Sequence, residues 1–249
     1  MKLLYDKVLL KLSGESLSRA GGWGVDPTEA NRIATTIKEV HDLGVRLAIV
    51  VGGGNMIRGA KLSQEGLGLN RDTADYMGML GTLINALALQ AALEDLKVPT
   101  RVQTAIHVQR VAEPFIQRRA IRHLEKGRVV ILAGGAGIPR FTTDTTAVLR
   151  TKELGLNILL KATKVDGVYT SDPEKDSSAI RYSRLSFEDA ISKKLKVMDA
   201  TAFTLAEEHQ VRINVFNVKK AGNLLQVLLG KDIGTHIDNF EHSQLTERA

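Results

Sequence analysis

The sequence predicts an α/β fold, a three-layer α/β/α sandwich around a mostly parallel central sheet. Two observations carry this. Short apolar runs alternate with amphipathic stretches along most of the 249 residues, the order that makes β-α-β crossovers. Three of the runs also lead into a glycine-bearing turn: Val8 to Leu12 before Ser13-Gly14-Glu15, Leu47 to Val51 before Gly52-Gly53-Gly54-Asn55, and Val129 to Ala133 before Gly134-Gly135-Ala136-Gly137. Backbone without side chains at a strand's carboxyl end can bring amide N–H groups against a bulky anion, and open α/β sheets gather ligands there. A single Gly triplet reads equally well as a tight turn. Three such junctions point to one extended polyphosphate site.

The elements follow in order. After the strand Val8 to Leu12, Asp26-Pro27-Thr28-Glu29 opens a helix, with Asp26 as N-cap, Pro27 at N1 and Glu29 at N3. Ala30, Ile33, Ile37 and Val40 continue it at helical spacing to Gly44. A helix from about Thr73 to Leu96 is apolar on several faces through Met77, Met79, Leu80, Leu83, Ile84, Leu87 and Leu93, and needs cover either as a core helix or at a subunit interface. Arg101 to Ala105 reads as a strand and Pro114 to Lys126 as a helix ended by Gly127. Strand Val129 to Ala133, helix Thr145 to Leu154 and strand Ile158 to Lys161 come next. A loop over Val165 to Asp176 precedes a short helix from Ser186 and another over Ala200 to Glu208. The strand Arg212 to Val218 and the helix Gly222 to Leu229 complete a single domain over 7–237, and the polar tail 238–249 is expected to be loose.

Composition narrows the function class. With no cysteine, disulfides and thiolate metal sites are unavailable, in keeping with a reducing, cytoplasmic setting. No apolar run reaches the roughly 20 residues of a membrane span, so no membrane is expected. The 34 Lys and Arg against 28 Asp and Glu give a net charge of +6, but no basic block of five exists and aromatics are 4% of the chain. Nucleic acid is therefore not an expected partner. Neither G-x-x-x-x-G-K-[ST] nor G-x-G-x-x-G occurs, nor does the protein-kinase motif set. The histidines at 41, 107, 123, 209, 236 and 242 show no metal-ligand spacing. What remains is a phosphate site built from lysine and backbone amides.

Six blocks then carry a resemblance: K-L-S-G-E at Lys11 to Glu15, G-G-G-N-M-I-R-G at Gly52 to Gly59, D-Y-M-G-M-L at Asp75 to Leu80, F-T-T-D at Phe141 to Asp144, K-A-T-K-V-D-G-V-Y-T-S-D-P at Lys161 to Pro173 and K-V-M-D at Lys196 to Asp199. In order and spacing the chain resembles the bacterial uridylate (UMP) kinases of the amino acid kinase family. The resemblance implies transfer of the ATP γ-phosphoryl group to UMP, giving UDP in pyrimidine nucleotide biosynthesis, with Mg²⁺ accompanying ATP. It also implies a homohexamer and inhibition by UTP at the UMP site. Lys11, Asp144 and Arg58 would be catalytic, with Asp144 orienting the lysine or organising the metal-bound phosphates. ATP would meet Lys11, Leu12, Ser13, Gly14, Gly54, Arg58, Thr163, Tyr169 and Asp172, with Tyr169 against the adenine and Asp172 on the ribose. UMP would meet Gly53, Asp75 on its ribose hydroxyls, and Ala136, Gly137, Ile138, Pro139, Arg140, Phe141, Thr142 and Thr143 around uracil and phosphate. Asp166-Gly167 reads equally as a simple turn, and Asp199 is a further functional acid.

The chain also departs from the family pattern. Ile138 and Arg140 stand in the substrate loop where an amide and an aromatic are usual, and Asn157 replaces a frequent Asp. Gln90 and Glu94 replace basic residues of the relatives that respond to GTP, although Arg101 and Arg128 are present, so weak or absent GTP activation is expected. Two alternatives stay open: an acylphosphate-forming member of the same family, and a non-catalytic nucleotide sensor.

Overall fold

The computed structural model describes residues 2–57 and 70–246. Among the described residues, ten strands form one sheet. In spatial order it runs β10 (Gln244–Leu245), β7 (Tyr182–Ser186), β9 (Thr235–Asp238), β8 (Ile213–Asn217), β6 (Ile158–Thr163), β1 (Lys7–Leu12), β2 (Arg46–Val51), β5 (Val129–Ala133), β3 (Thr100–Thr104), β4 (Glu113–Pro114). The pairings from β8 through β4 are all parallel; β8 with β9 and β10 with β7 are antiparallel. Parallel strands covered on both faces must be apolar throughout, and five strands from β1 to β8 are buried along nearly their whole length.

Alternation along each strand splits the core in two. Val8, Leu10 and Leu12 face a layer made by α1 (Pro27–His41), α2 (Arg71–Asp95) and α7 (Asn223–Leu228). Leu9, Val50 and Leu159 face the opposite layer of α3 (Gln117–Glu125), α4 (Thr143–Glu153), α5 (Phe187–Ser192) and α6 (Ala200–Glu208). This is the α/β/α sandwich that the alternating pattern predicts.

Most helix starts lie where their caps require. The Asp26 carboxylate accepts from the amides of Thr28 (3.0 Å) and Glu29 (3.1 Å). Helix α2 begins two residues before the expected Thr73, because Asn70 caps it by accepting from Thr73 N at 2.8 Å. Helix α3 starts at Gln117 rather than Pro114. Glu113 and Pro114 instead pair with Gln103 and Thr104 as an edge strand, where a proline's missing N–H costs no interior ladder bond. Strands β7, β9 and β10 were not expected. The tail is correspondingly less loose than its polarity suggests: Gln244 and Leu245 pair with β7, and Ser243 Oγ accepts from Ser186 N at 2.9 Å.

Helix α2 spans 25 residues and holds an 18-residue window of mean hydropathy 1.4, long and apolar enough by composition to cross a membrane, contrary to the expectation that no stretch qualifies. Here it is a core helix on one side, burying Ala74, Met79, Leu83, Ala86, Leu89 and Leu93. Its other side leaves Tyr76, Leu80 and Ile84 nearly half exposed.

Candidate active site

Strand register builds the centre of the site. Lys11 pairs directly with Lys161 across β1 and β6, and each lies two residues beyond a leucine, Leu9 or Leu159, that faces the α4 layer. Period-2 alternation therefore sends both lysines to that face, at the carboxyl ends of adjacent strands. Helix α4 supplies their counterion. Thr142 caps it, accepting from Asp144 N and Thr145 N at 3.1 Å each, so Asp144 occupies the first turn, where the helix dipole favours a carboxylate. Asp144 Oδ1 lies 2.9 Å from Lys11 Nζ and Oδ2 lies 2.6 Å from Lys161 Nζ. The Lys161 contact is a hydrogen bond. The Lys11 contact is an ion pair.

Three charges this buried perturb one another. Burial and the neighbouring Lys11 ammonium lower the Lys161 pKa to about 8, against the pull of Asp144 and Asp199. Burial pushes the Asp144 carboxyl up, but the two lysines pull harder and hold it below the ordinary range. Asp199, the N-cap of α6, accepts from Thr145 Oγ1 at 2.9 Å and from Thr142 Oγ1, tying α6 to the α4 N-terminus. The arrangement is two closely set cations held by one carboxylate and open on their other side. Such a centre suits a more highly charged anion than Asp144 alone.

A cleft of about 1040 Å³ opens there, with Lys11, Ser13, Gly54, Lys161 and Thr163 in its walls. Arg19, Lys164, Lys196 and Lys219 add positive charge, alongside Glu15. Neighbouring glycines serve it differently. A Cβ on Gly53 would sit 2.4 Å from Gly78 O, so this glycine lets β2 abut α2; a Cβ on Gly54 would meet nothing within 4 Å, and its backbone faces the open cleft. A separate cavity of about 500 Å³, lined in part by Tyr5, Arg184, Arg212 and His236, contains none of the predicted site residues.

A glycine-rich loop leads from β5 into α4. Gly134 N donates to Thr82 Oγ1 at 2.7 Å, and Gly134, Gly135 and Gly137 take positive φ values that favour glycine. Arg140, also at positive φ (72°), donates its backbone N–H to Asp75 Oδ2 at 2.8 Å and its guanidinium to Asp72 at 3.0 Å. The α2 N-terminus and this loop are thus pinned together.

The sequence model of the amino acid kinase family matches residues 6–217. The chain belongs to the amino acid kinase family. Among solved structures of the family's fold, a UMP kinase from Bacillus anthracis is 39% identical with a TM-score of 0.93, over 98% of this chain and 99% of that one. A UMP kinase from Ureaplasma parvum is 35% identical (TM-score 0.88; 96% and 100% covered). A uridylate kinase from Archaeoglobus fulgidus is 29% identical (TM-score 0.71; 92% and 99% covered).

Within this amino acid kinase fold the expected site residues fall into groups. Lys11, Ser13, Gly54 and Thr163 share the cleft, and Asp144 joins Lys11. Leu12 buries its side chain in the core and its carbonyl accepts from Gly52 N, so it offers the cleft no side chain. Asp75 and Arg140 meet each other; Ile138 and Phe141 are largely exposed and Thr142 caps α4. Tyr169 and Asp172 are not among the cleft-lining residues: Tyr169 bridges to Arg181, and Asp172 caps a turn through Glu174 N at 3.1 Å. Arg58 lies outside the described residues. Sequence reasoning missed Lys161 as a site residue. Its signal was a single lysine inside the apolar run Ile158 to Ala162.

Proposed function

We propose that this chain is a UMP kinase, moving the γ-phosphoryl group of ATP to the phosphate of UMP to give UDP and ADP. The single observation that carries this reading is the register-paired Lys11 and Lys161 with Asp144 between them, at the head of a cleft edged by the Gly54 backbone. Phosphoryl transfer asks a protein mainly to position two anions and neutralise the charge that spreads over the transferred group. Lys11 and Lys161 supply two cations to that charge. Asp144 keeps them apart and aimed, because an ammonium shared with a carboxylate loses rotamer freedom before the substrate arrives. The Gly53 and Gly54 amides hold equatorial oxygens, and no general base is required, since the acceptor oxygen of a nucleoside monophosphate is already ionised near neutral pH.

Asp75 accepts the UMP ribose hydroxyls, residues 136–143 wrap the uracil, and Tyr169, Asp172 and Thr163 serve the ATP nucleoside. Magnesium would accompany the ATP phosphates and help neutralise their charge. Among the described residues no three His, Cys, Asp or Glu converge, and a nucleotide-bound magnesium draws most of its oxygen ligands from phosphates and water. The reading is cytoplasmic and oligomeric, a hexamer by resemblance. The exposed Tyr76, Leu80 and Ile84 stripe of α2 supports contact between subunits. UTP inhibits at the UMP site. Glu94 lies 3.7 Å from Arg101 and accepts from Gln90 at 3.1 Å, which supports weak or absent GTP activation.

An ADP-release assay with UMP, CMP, glutamate, aspartate and acetylglutamate as separate acceptors tests the reading. The expected result is release with UMP far above the rest. Preference for an amino acid would instead assign the acylphosphate chemistry of the wider family, and no release with any acceptor would favour a nucleotide sensor.

A further inference from the structure

The cradle formed by Gly52, Gly53 and Gly54 has no side chains with which to hold itself, so its shape must be imposed by neighbours. Two buried asparagines do this. Asn85, fully buried on the core side of α2, donates from Nδ2 to Gly52 O at 2.7 Å and to Asn55 Oδ1 at 2.6 Å. Asn55, 3% exposed, donates from Nδ2 to Asn85 Oδ1 at 3.0 Å and to Gly24 O at 2.8 Å. Both side-chain oxygens accept and both amide groups donate twice, a completely satisfied network in a dry place.

The reach of this pair extends beyond the cradle. A Cβ on Gly14 would lie 2.2 Å from Asn55 Oδ1 and 2.8 Å from Gly52 O, so the turn after Lys11 is pressed directly onto the same amide. The rim segment is fastened there too: Gly24 N donates to Asn55 O at 3.0 Å and Trp23 Nε1 donates to Met56 O at 2.9 Å. One helix position thereby fixes the turn beyond the catalytic lysine, the glycine cradle and the cleft rim against one another. Asparagine is a poor interior residue for a helix, and between Ile84 and Ala86 an apolar residue would pack more simply.

We propose that the Asn55–Asn85 amide pair sets the cradle geometry for phosphoryl transfer, making Asn85 a positioning residue for the reaction. The proposal rests on the kinase reading above. It goes beyond that reading by placing control of the transfer geometry on a helix residue outside the cleft lining. Catalytic positions tolerate little displacement, and a misplacement of about 1 Å costs on the order of a hundredfold.

The test compares wild type with Asn55→Ala, Asn85→Ala and the double variant. It measures kcat, KM for UMP and for ATP, thermal melting, and emission from Trp23, the single tryptophan of the chain. The expected Asn85→Ala protein melts cooperatively, loses about tenfold or more in kcat with both KM values within about threefold, and shifts Trp23 emission as the rim moves. The double variant is expected to be no slower than the worse single variant, because both remove one device. A folded Asn85→Ala protein with kcat within about twofold of wild type, or losses that multiply in the double variant, would overturn the proposal. If the alanine variant does not melt cooperatively, Asn85→Asp replaces it, keeping the size and the acceptor for Asn55 while losing donation to both Gly52 O and Asn55 Oδ1. Failure of both to fold makes the pair merely structural and equally overturns the proposal. An inactive wild type would count against the kinase reading instead.

Discussion

On the proposed reading, the phosphate and nucleoside parts of the site are held in opposite ways. On the phosphate side, Lys11 and Lys161 are at most 8% exposed and are fixed by strand register and one carboxylate; the adjoining backbone is braced by a buried amide pair. In the proposed nucleoside part, away from the cleft lining, Ile138 and Phe141 are 53% and 43% exposed, and Asp172 sits in a surface turn. Charge stabilisation in a transition state needs fixed geometry, which a packed sheet provides. Choice among nucleosides needs shaped surfaces, which turns provide and can vary. The proposed reading therefore places the rate in the sheet and the selectivity in the loops.

The largest expected effect falls on the buried side. Asp144→Asn leaves two closely set ammonium groups without their counterion, and breaking a buried ionic group in this way costs about 3 to 5 kcal/mol of folding stability. Urea unfolding at neutral pH measures it. A loss below about 1 kcal/mol would show that the lysines do not depend on the carboxylate, and the contrast between the two sides would weaken.

On the nucleoside side, a charged acceptor on the ribose predicts that 2′-deoxy-UMP loses about 1.5 to 3 kcal/mol in kcat/KM relative to UMP, and that Asp75→Asn narrows the gap. Equal use of both nucleotides by wild type would remove Asp75 from the ribose.

A smaller effect concerns pH. Burial and the Lys11 ammonium push the Lys161 pKa down to about 8, and bound phosphates favour its charged form. We expect kcat/KM for ATP to fall about tenfold per pH unit well above that value, while kcat, which reports the bound enzyme, holds to higher pH. The stability sign is the reverse. The unfolded lysine, at its ordinary 10.5, binds more protons than the folded one between about 8 and 10.5, so the cost of burying the charge is full below 8 and fades as pH rises. Relative to Lys161→Met, wild type should therefore gain stability across that window. A pH-independent difference would mean that Lys161 does not titrate there.

Local chemistry was readable in the chain and long-range pairing was not. Asp26 accepts from Thr28 and Glu29 as its D-P-T-E setting implies, since a cap involves only its own first turn. The strand ends before Ser13, Gly52 and Gly134 likewise follow from apolar runs meeting glycine. Lys161 was overlooked because only the register of β6 against β1 turns it into the partner of Lys11. Asn55 and Asn85 read as ordinary polar residues until α2 is laid across the end of β2. Strands β9 and β10 are short, and they are defined by partners far away in the chain rather than by their own pattern.

The most direct test of the division is steady-state kinetics of Lys11→Met with UMP and 2′-deoxy-UMP. Losing one preorganised donor to developing charge costs about 2.7 to 4 kcal/mol, so turnover should fall about a hundredfold or more while the preference for UMP over its deoxy form keeps the wild-type ratio. Turnover close to wild type, or a collapse of that preference along with the rate, would contradict the account.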